Sequence, residues 1–454
     1  MTALTAESPA KNIKNVNHEE ENMSLKLTGG IILATGENGE FQVLEGSCIC
    51  IEDKYIKYIG PDRDAPECDA EKDMHGTILM PGLVNAHGHG PMTLLRGVGG
   101  GLALQEWLET AIFPIEAKLT PKDIEIGERW AVMEMLAGGT TCVSEMYDFP
   151  EATWEVLKGS GIKGNVCRVG LSFSETEEIP KNRFNECVNI VKNLKDDDDR
   201  VISEFCLHSE YLTNEGFVRK IAEENKSLHA NINVHVSETR REHEESKQRH
   251  GGLTPIAYLD KMGILDENTY AAHCVWVEDS DIEIMKEKKV SPVFNPSSNC
   301  KLASGFAPID KMLEKGLNVA IGTDGCASND NLNMFEELHL GSLLIKNKAS
   351  DATVLNAGQV LKMATVNGAR ALGRTDTGEL KVGKRADIIA VSMDKPHMYP
   401  AFDIMNLLVY SAQASDVVMT MVDGKILYEN GIYKTIDAEK ARFEMKDAIA
   451  RIYA

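Results

Sequence analysis

No stretch of this 454-residue chain approaches the ~18–20 consecutive apolar residues that span a bilayer, so a membrane helix is excluded. The opening MTALTAESPAKNIKNVNHEEEN lacks a basic segment followed by an apolar core, so no signal peptide is read there. Residues 1–22 read instead as a polar tail, with ordered protein expected from Met23. No C-x-x-C pair occurs among the 10 cysteines, and several lie inside apolar runs such as TCVSEMY and EFCLHSEY. Free buried thiols in a reducing compartment fit that pattern better than a disulfide framework, which places the protein in the cytoplasm. Positive charge is scarce: 48 Lys and Arg against 70 Asp and Glu leave a net charge of −22. Nucleic acid and anionic membranes are repelled at long range by such a chain, whereas a small neutral or zwitterionic ligand in a pocket is not. A homo-oligomer is compatible with all of this, and the sequence leaves its state open. No G-x-G-x-x-G follows any strand candidate, which argues against a dinucleotide-binding open sheet.

What is present is an alternation of textures. Residues 23–80 are short, β-rich and turn-punctuated, and the texture returns over 382–435 in ADIIAVSM and VVMTMVDGKILYENGIY, the latter a hairpin turning at Asp423-Gly424. Two β-rich ends around a long middle predict one small β-sandwich built from both termini. The middle, 81–381, alternates eight short β-type runs with helical stretches, from ILMPGLVNAHGHG through NVAIGTDG. Eight β-then-α units predict an α/β fold, a closed (β/α)₈ TIM barrel. Residues 436–454, with AEKARFEMKDAIARIYA, have helical spacing and predict a terminal helix. Asp196 to Asp199 read as a solvated loop.

Titratable residues fall at the C-terminal ends of the strand candidates, where barrel enzymes keep their sites. His87 and His89 are two apart on the first strand and project to one face. Strand five ends His235-Val236-Ser237-Glu238, strand six carries His273, and strand eight ends Thr323-Asp324-Gly325. Each alone reads as an ordinary core or loop residue. Together they place four imidazoles and two carboxylates at one end of one barrel, a burial that costs several kcal/mol unless an ion compensates it. His87, His89, His235 and Asp324 suit one divalent metal ion, Zn²⁺ first, with Fe²⁺ or Mn²⁺ as alternatives. Glu238 is positioned to shuttle protons, His273 to hydrogen-bond developing negative charge, and Asp324 to accept a proton from water. His18, His75, His229, His243, His250, His339 and His397 have no partners at ligand spacing, and Met92 and Trp107 read as pocket wall or core.

PGLVNAHGHGPMTLLRG, HVSE, HC, NPSSNCKLASG and GTDGCASNDNLNMFEEL together resemble the amidohydrolase superfamily. Within it the chain is most similar to the 5′-methylthioadenosine/S-adenosylhomocysteine deaminases, from about Leu25 to the end. The resemblance implies a single metal, because His208 rather than a lysine stands in the fourth-strand region. It also implies that Glu116, in LQEWLETAIFPIE, binds ribose hydroxyls and that His208 and Glu238 meet the purine, with Asp324 also at the substrate. Arg168, in CRVGL, and Arg183 would meet an amino-acid carboxylate. Two departures stand out. His-Gly-His-Gly, with Gly88 and Gly90, is expected to loosen the strand end, and Glu210 to add negative charge near the purine pocket.

The expected activity is metal-dependent hydrolytic deamination of an adenosine-type nucleoside: 5′-methylthioadenosine, S-adenosylhomocysteine, 5′-deoxyadenosine or adenosine. The same chemistry on guanine, a pterin, cytosine or a chlorotriazine is the nearest rival. A non-catalytic scaffold on the same barrel is the remote one.

Overall fold

The computed structural model describes residues 23–172 and 181–454, and the 1–22 tail with His18 lies outside the described residues. Eight parallel strands form a closed ring. They are Leu83–His89, Thr140–Tyr147, Lys163–Gly170, Val201–Ser209, Ile232–Val236, Thr269–His273, Ser291–Phe294 and an eighth in two pieces. The eighth strand breaks at Gly322 and Thr323: Ala320–Ile321 pairs with the seventh strand, and Asp324–Gly325 pairs with the first. A Cβ on Gly322 would stand 2.7 Å from the His87 backbone nitrogen, so only glycine lets the two strands approach there. Asn85 bridges the break, with its Nδ2 donating to Thr323 Oγ1 at 2.8 Å and its Oδ1 accepting from Thr323 N at 2.9 Å.

Helices cover the ring because the sequence caps them. Thr120 and Thr239 close capping boxes on Asp123 and Glu242, opening Pro121–Ala137 and Arg240–Arg249. The short helix Val366–Ala371 plugs the barrel floor: a Cβ on Gly368 would lie 3.0 Å from Val84. Val84, Tyr270, Val293, Ala320 and Ala369 form an apolar cluster there.

The two ends of the chain build the second core. A four-stranded sheet (Tyr55–Pro61, Ser47–Glu52, Leu25–Thr28, Ala70–Asp73) contributes Leu27, Ile49 and Ile51. A seven-stranded sheet carries Ile32, Leu79, Ile388 and Met421 from both termini into the same cluster. Its hairpin turns at Asp423 (φ 50°) and Gly424 (φ 73°), the doubly left-handed turn that matches strand twist. The terminal helix runs Ala438–Ile452 and packs against Pro121–Ala137. All ten cysteines are free, and among the described residues no helix is long and apolar enough to cross a membrane.

A buried ion cluster ties the barrel to the sandwich. Lys163, at the foot of the third strand and fully buried, sits 2.5 Å from Asp387 Oδ2 and 2.6 Å from Asp423 Oδ1. Burial pushes the Asp387 carboxyl up, and the Lys163 ammonium pulls it back. Lys163→Met would leave the buried Asp387 carboxylate without its cation, while Asp423 keeps Arg385 Nη1 at 3.0 Å, and is expected to destabilise the fold by about 3–5 kcal/mol. A denaturant midpoint equal to wild type would show that the cluster contributes nothing.

Candidate active site and metal centre

Three imidazole nitrogens and one carboxylate oxygen meet at the mouth of the barrel. His235 Nε2 lies 3.1 Å from His87 Nε2 and 3.4 Å from His89 Nε2. Asp324 Oδ1 lies 3.1 Å from His89 Nε2 and 3.5 Å from His87 Nε2. Ligand atoms bonded at about 2.1 Å in a tetrahedron stand roughly 3.4 Å apart, so the spacing matches one small cation at the centre. His273 also reaches the group: one donor atom each from His87, His235, His273 and Asp324 lies within 4.8 Å of the others. The His/His/His/Asp group can bind one metal ion, with His273 at its edge.

The surroundings fix which nitrogen faces inward. His89 Nδ1 lies 2.6 Å from Met146 O, and His235 Nδ1 lies 2.7 Å from His208 O. A carbonyl only accepts, so each Nδ1 carries the proton and each Nε2 offers a lone pair to the centre. Asp324 is held from behind, with its Oδ2 accepting from Ser298 Oγ at 2.6 Å and Ser328 Oγ at 2.9 Å. Burial pushes the His87 imidazole down to about 4 and lowers that of His235 as well, which keeps these ligands neutral. Burial alone would raise Asp324, but His87 and His89 override it and hold the carboxyl well below the usual range.

Left-handed backbone aims several of these groups. Asp324 (φ 62°), His273 (φ 71°) and Ser237 (φ 49°) lie at strand ends in a region that costs a non-glycine residue free energy. His273 Nδ1 faces Asn299 Oδ1 at 2.9 Å, and its Nε2 stands 3.8 Å from Glu238 Oε2. Glu238 is buried, which raises its carboxyl, and Ser304 Oγ donates to it at 3.3 Å. Glu242 holds the segment: its oxygens accept from Ser237 N and Glu238 N, each at 2.7 Å.

Above the group opens a cavity. Glu116, His208, Glu238, His273 and Asp324 line it, with a wall of Leu, Phe, Met and Trp side chains that includes Met92 and Trp107. Glu116 accepts from Tyr147 Oη at 2.5 Å. Burial raises the Glu116 carboxyl and pushes the His208 imidazole down to about 3. Arg168 and Arg183 do not line the cavity. Both guanidiniums turn to Asp148, at 2.5 and 2.8 Å, and Arg168 Nε also reaches Glu186 at 2.8 Å.

Glu210 does not itself line the cavity: its carboxylate turns to the helix Arg240–Arg249, 2.8 Å from Arg249 Nη2, and to His250 Nε2 at 2.5 Å, while its charge still helps to raise the cavity-lining Glu242 carboxyl. At the first strand end the register with the second strand slips between Asn85 and Gly88, and Gly88 pairs on both sides. Gly90 leaves room, since a Cβ there would stand 2.4 Å from Glu128 Oε2. Sequence reasoning gave no role to Tyr147, Asp148, Glu242, Ser298, Asn299, Ser304 and Ser328. Four of them, Ser298, Asn299, Ser304 and Ser328, sit in the strand-seven and strand-eight motifs, where the signal was present but unassigned.

The chain belongs to the amidohydrolase family, whose family model matches residues 78–427. It is 41% identical over 428 residues to a 5-methylthioadenosine/S-adenosylhomocysteine deaminase of Thermoanaerobacter pseudethanolicus, covering 93% of this chain and 98% of that protein. It is 42% identical over 412 residues to a 5′-deoxyadenosine deaminase of Methanosarcina acetivorans, covering 90% and 94%. Among solved structures, an adenosine deaminase of Xanthomonas campestris with bound zinc superposes with a TM-score of 0.90 at 32% identity, covering 94% of this chain and 98% of that one. A triazine hydrolase variant shares the fold, with a TM-score of 0.87 at 23% identity.

Removing a ligand is expected to cost the metal. His235→Ala should reduce bound divalent metal from stoichiometric to trace by elemental analysis, and Ser298→Ala should weaken metal affinity roughly 10–100-fold in chelator competition. Full metal retention in His235→Ala would remove that residue from the ligand set.

Proposed function

We propose that this protein catalyses metal-dependent hydrolytic deamination of adenosine-type nucleosides, the 5′-substituted adenosines first. The observation that carries this reading is the convergence of His87, His89, His235, His273, Asp324 and Glu238 beside a cavity that also carries Glu116 and a broad apolar wall. The similarity to deaminases of methylthioadenosine, S-adenosylhomocysteine and 5′-deoxyadenosine supports it. His87, His89, His235 and Asp324 would hold the ion, and we take Zn²⁺ as that ion from the donor set and the zinc-bearing neighbour. When bound, the metal supplies the acidification of a water at neutral pH.

The chain's own groups then have distinct tasks. Glu238 faces the base and carries the proton to ring N1 while water oxygen bonds to C6. Asp324 accepts a proton from that water. His273, tethered by Asn299, donates a hydrogen bond to the oxygen as negative charge grows on it. The C6–N bond breaks, and the amino group leaves as ammonia with the water's second proton, passed on from Asp324; the first has gone to N1 through Glu238, so both carboxylates return to their starting state. The product is the inosine analogue. Glu116, oriented by Tyr147, accepts from the ribose hydroxyls, and His208 presents a neutral ring to the purine.

Ammonia release should be measured across 5′-methylthioadenosine, 5′-deoxyadenosine, adenosine, S-adenosylhomocysteine, guanine, a pterin, cytosine and a triazine. Turnover confined to the adenosines is the expected result. Turnover of a bare base or triazine alone would overturn the nucleoside reading and the role of Glu116. Glu238→Gln should lower turnover by about 10²–10⁴-fold while leaving metal content intact. Near-normal activity in that variant would take the proton relay away from Glu238.

A further inference from the structure

An adenosine with an amino-acid tail presents a carboxylate, which a cation at the cavity would bind. Among the described residues, no lysine or arginine lines the cavity. The two nearby guanidiniums are already committed. Arg183 Nη1 donates to Asp148 Oδ1 at 2.8 Å and to Val169 O at 3.3 Å. Arg168 lies 2.5 Å from the same Asp148 oxygen and donates from Nε to Glu186 at 2.8 Å. Among the described residues, these two positive charges face two negative ones, so the set is neutral before any ligand arrives. Asp148 is itself the member that reaches the cavity. A substrate carboxylate entering there would meet Asp148 first and would have to displace it from both arginines. Apolar side chains including Leu104, Trp107, Leu108, Phe113, Phe149 and Leu171 line the same cavity.

We propose that Asp148 is a specificity-determining residue: by occupying Arg168 and Arg183 it withholds them from a substrate carboxylate and narrows the substrate class to adenosines with an uncharged, apolar 5′ group. This rests on the deaminase reading and deepens it. The carboxylate role that the family resemblance implies for the two arginines is switched off in this chain by one side chain. Its position explains the effect, because residue 148 directly follows the second barrel strand, Thr140–Tyr147, and directly precedes left-handed Phe149, whose ring stands 5.8 Å from the Arg168 guanidinium.

The test compares kcat/KM for 5′-methylthioadenosine and S-adenosylhomocysteine in the metal-loaded enzyme and in Asp148→Asn, which keeps size and removes charge. Wild type is expected to favour methylthioadenosine by about tenfold or more, and Asp148→Asn to shrink that ratio by about tenfold, mainly through KM for S-adenosylhomocysteine. Adding Arg168→Gln to Asp148→Asn should abolish the gain. A wild-type preference for S-adenosylhomocysteine, or an unchanged ratio in Asp148→Asn, overturns the proposal. Because the wild-type ratio needs no variant, a misfolded Asp148→Asn leaves the proposal open to refutation. Failure of wild type to deaminate any adenosine is a different outcome: it overturns the proposed function itself.

Discussion

Three imidazole nitrogens and one carboxylate oxygen, with His235 and Asp324 each 3.1–3.5 Å from both His87 and His89, are the constraint on which this structure turns. Two of the imidazoles, those of His89 and His235, have their Nδ1 protons fixed on carbonyls, so their Nε2 lone pairs cannot turn away. Such a group is repulsive by itself and becomes favourable around a cation. The fold supplies the rigidity that keeps it assembled. His87 and His89 share the end of the first strand, His235 lies near the end of the fifth and Asp324 on the eighth, and the residues behind them (Met146, His208, Ser298, Ser328) come from neighbouring strands or the segments that follow. A barrel suits this because its strand ends converge on one point without needing long loops.

The eighth strand shows how regular structure is given up for that convergence. A continuous strand would carry Asp324 past the centre. The break at Gly322 and Thr323, closed by Asn85, lets Asp324 pair with Gly88 while its carboxylate faces inward. The left-handed backbone at Asp324, Ser237 and His273 is the same device repeated. Such conformations persist only where surrounding contacts over-determine them. At the opposite end of the ring the constraint is different. Lys163, Asp387 and Asp423 join the barrel foot to a sandwich assembled from chain ends some 300 residues apart in sequence.

The ring, the composite sandwich and the Asp423-Gly424 hairpin were legible because periodicity and turn chemistry are local signals. His87, His89, His235, His273, Glu238 and Asp324 were legible because each stands where a strand pattern stops. Orientation was not. Glu210 and Asp148 both follow strand ends and are indistinguishable in a linear reading. Only the fold shows that Glu210 is answered by Arg249 and His250, and that Asp148 turns to Arg168 and Arg183. These partners lie 39 and 40 residues away in the first case, and 20 and 35 in the second. No spacing rule reaches that far. The break in strand eight was hidden for a related reason: it depends on how closely Gly322 meets His87, a contact between the last and first strands of the ring.

The charge of the cavity narrows the chemistry further. Glu116, Asp148, Glu238, Glu242 and Asp324 all line it, and burial raises the carboxyls of Glu116, Glu238 and Glu242, the last to about 8. Four of the five have settled partners. Asp324 is fixed by two serines and faces the histidines, and Glu242 caps a helix with both oxygens. Tyr147 holds Glu116, and two arginines hold Asp148. Glu238 has a serine hydroxyl at 3.3 Å and an imidazole at 3.8 Å, both at the far limit of useful contact. A carboxyl that is desolvated, loosely held and beside the metal group can change protonation state without breaking a structural bond. That is the property a proton relay requires, and among these five carboxylates Glu238 combines it with a place on the cavity wall.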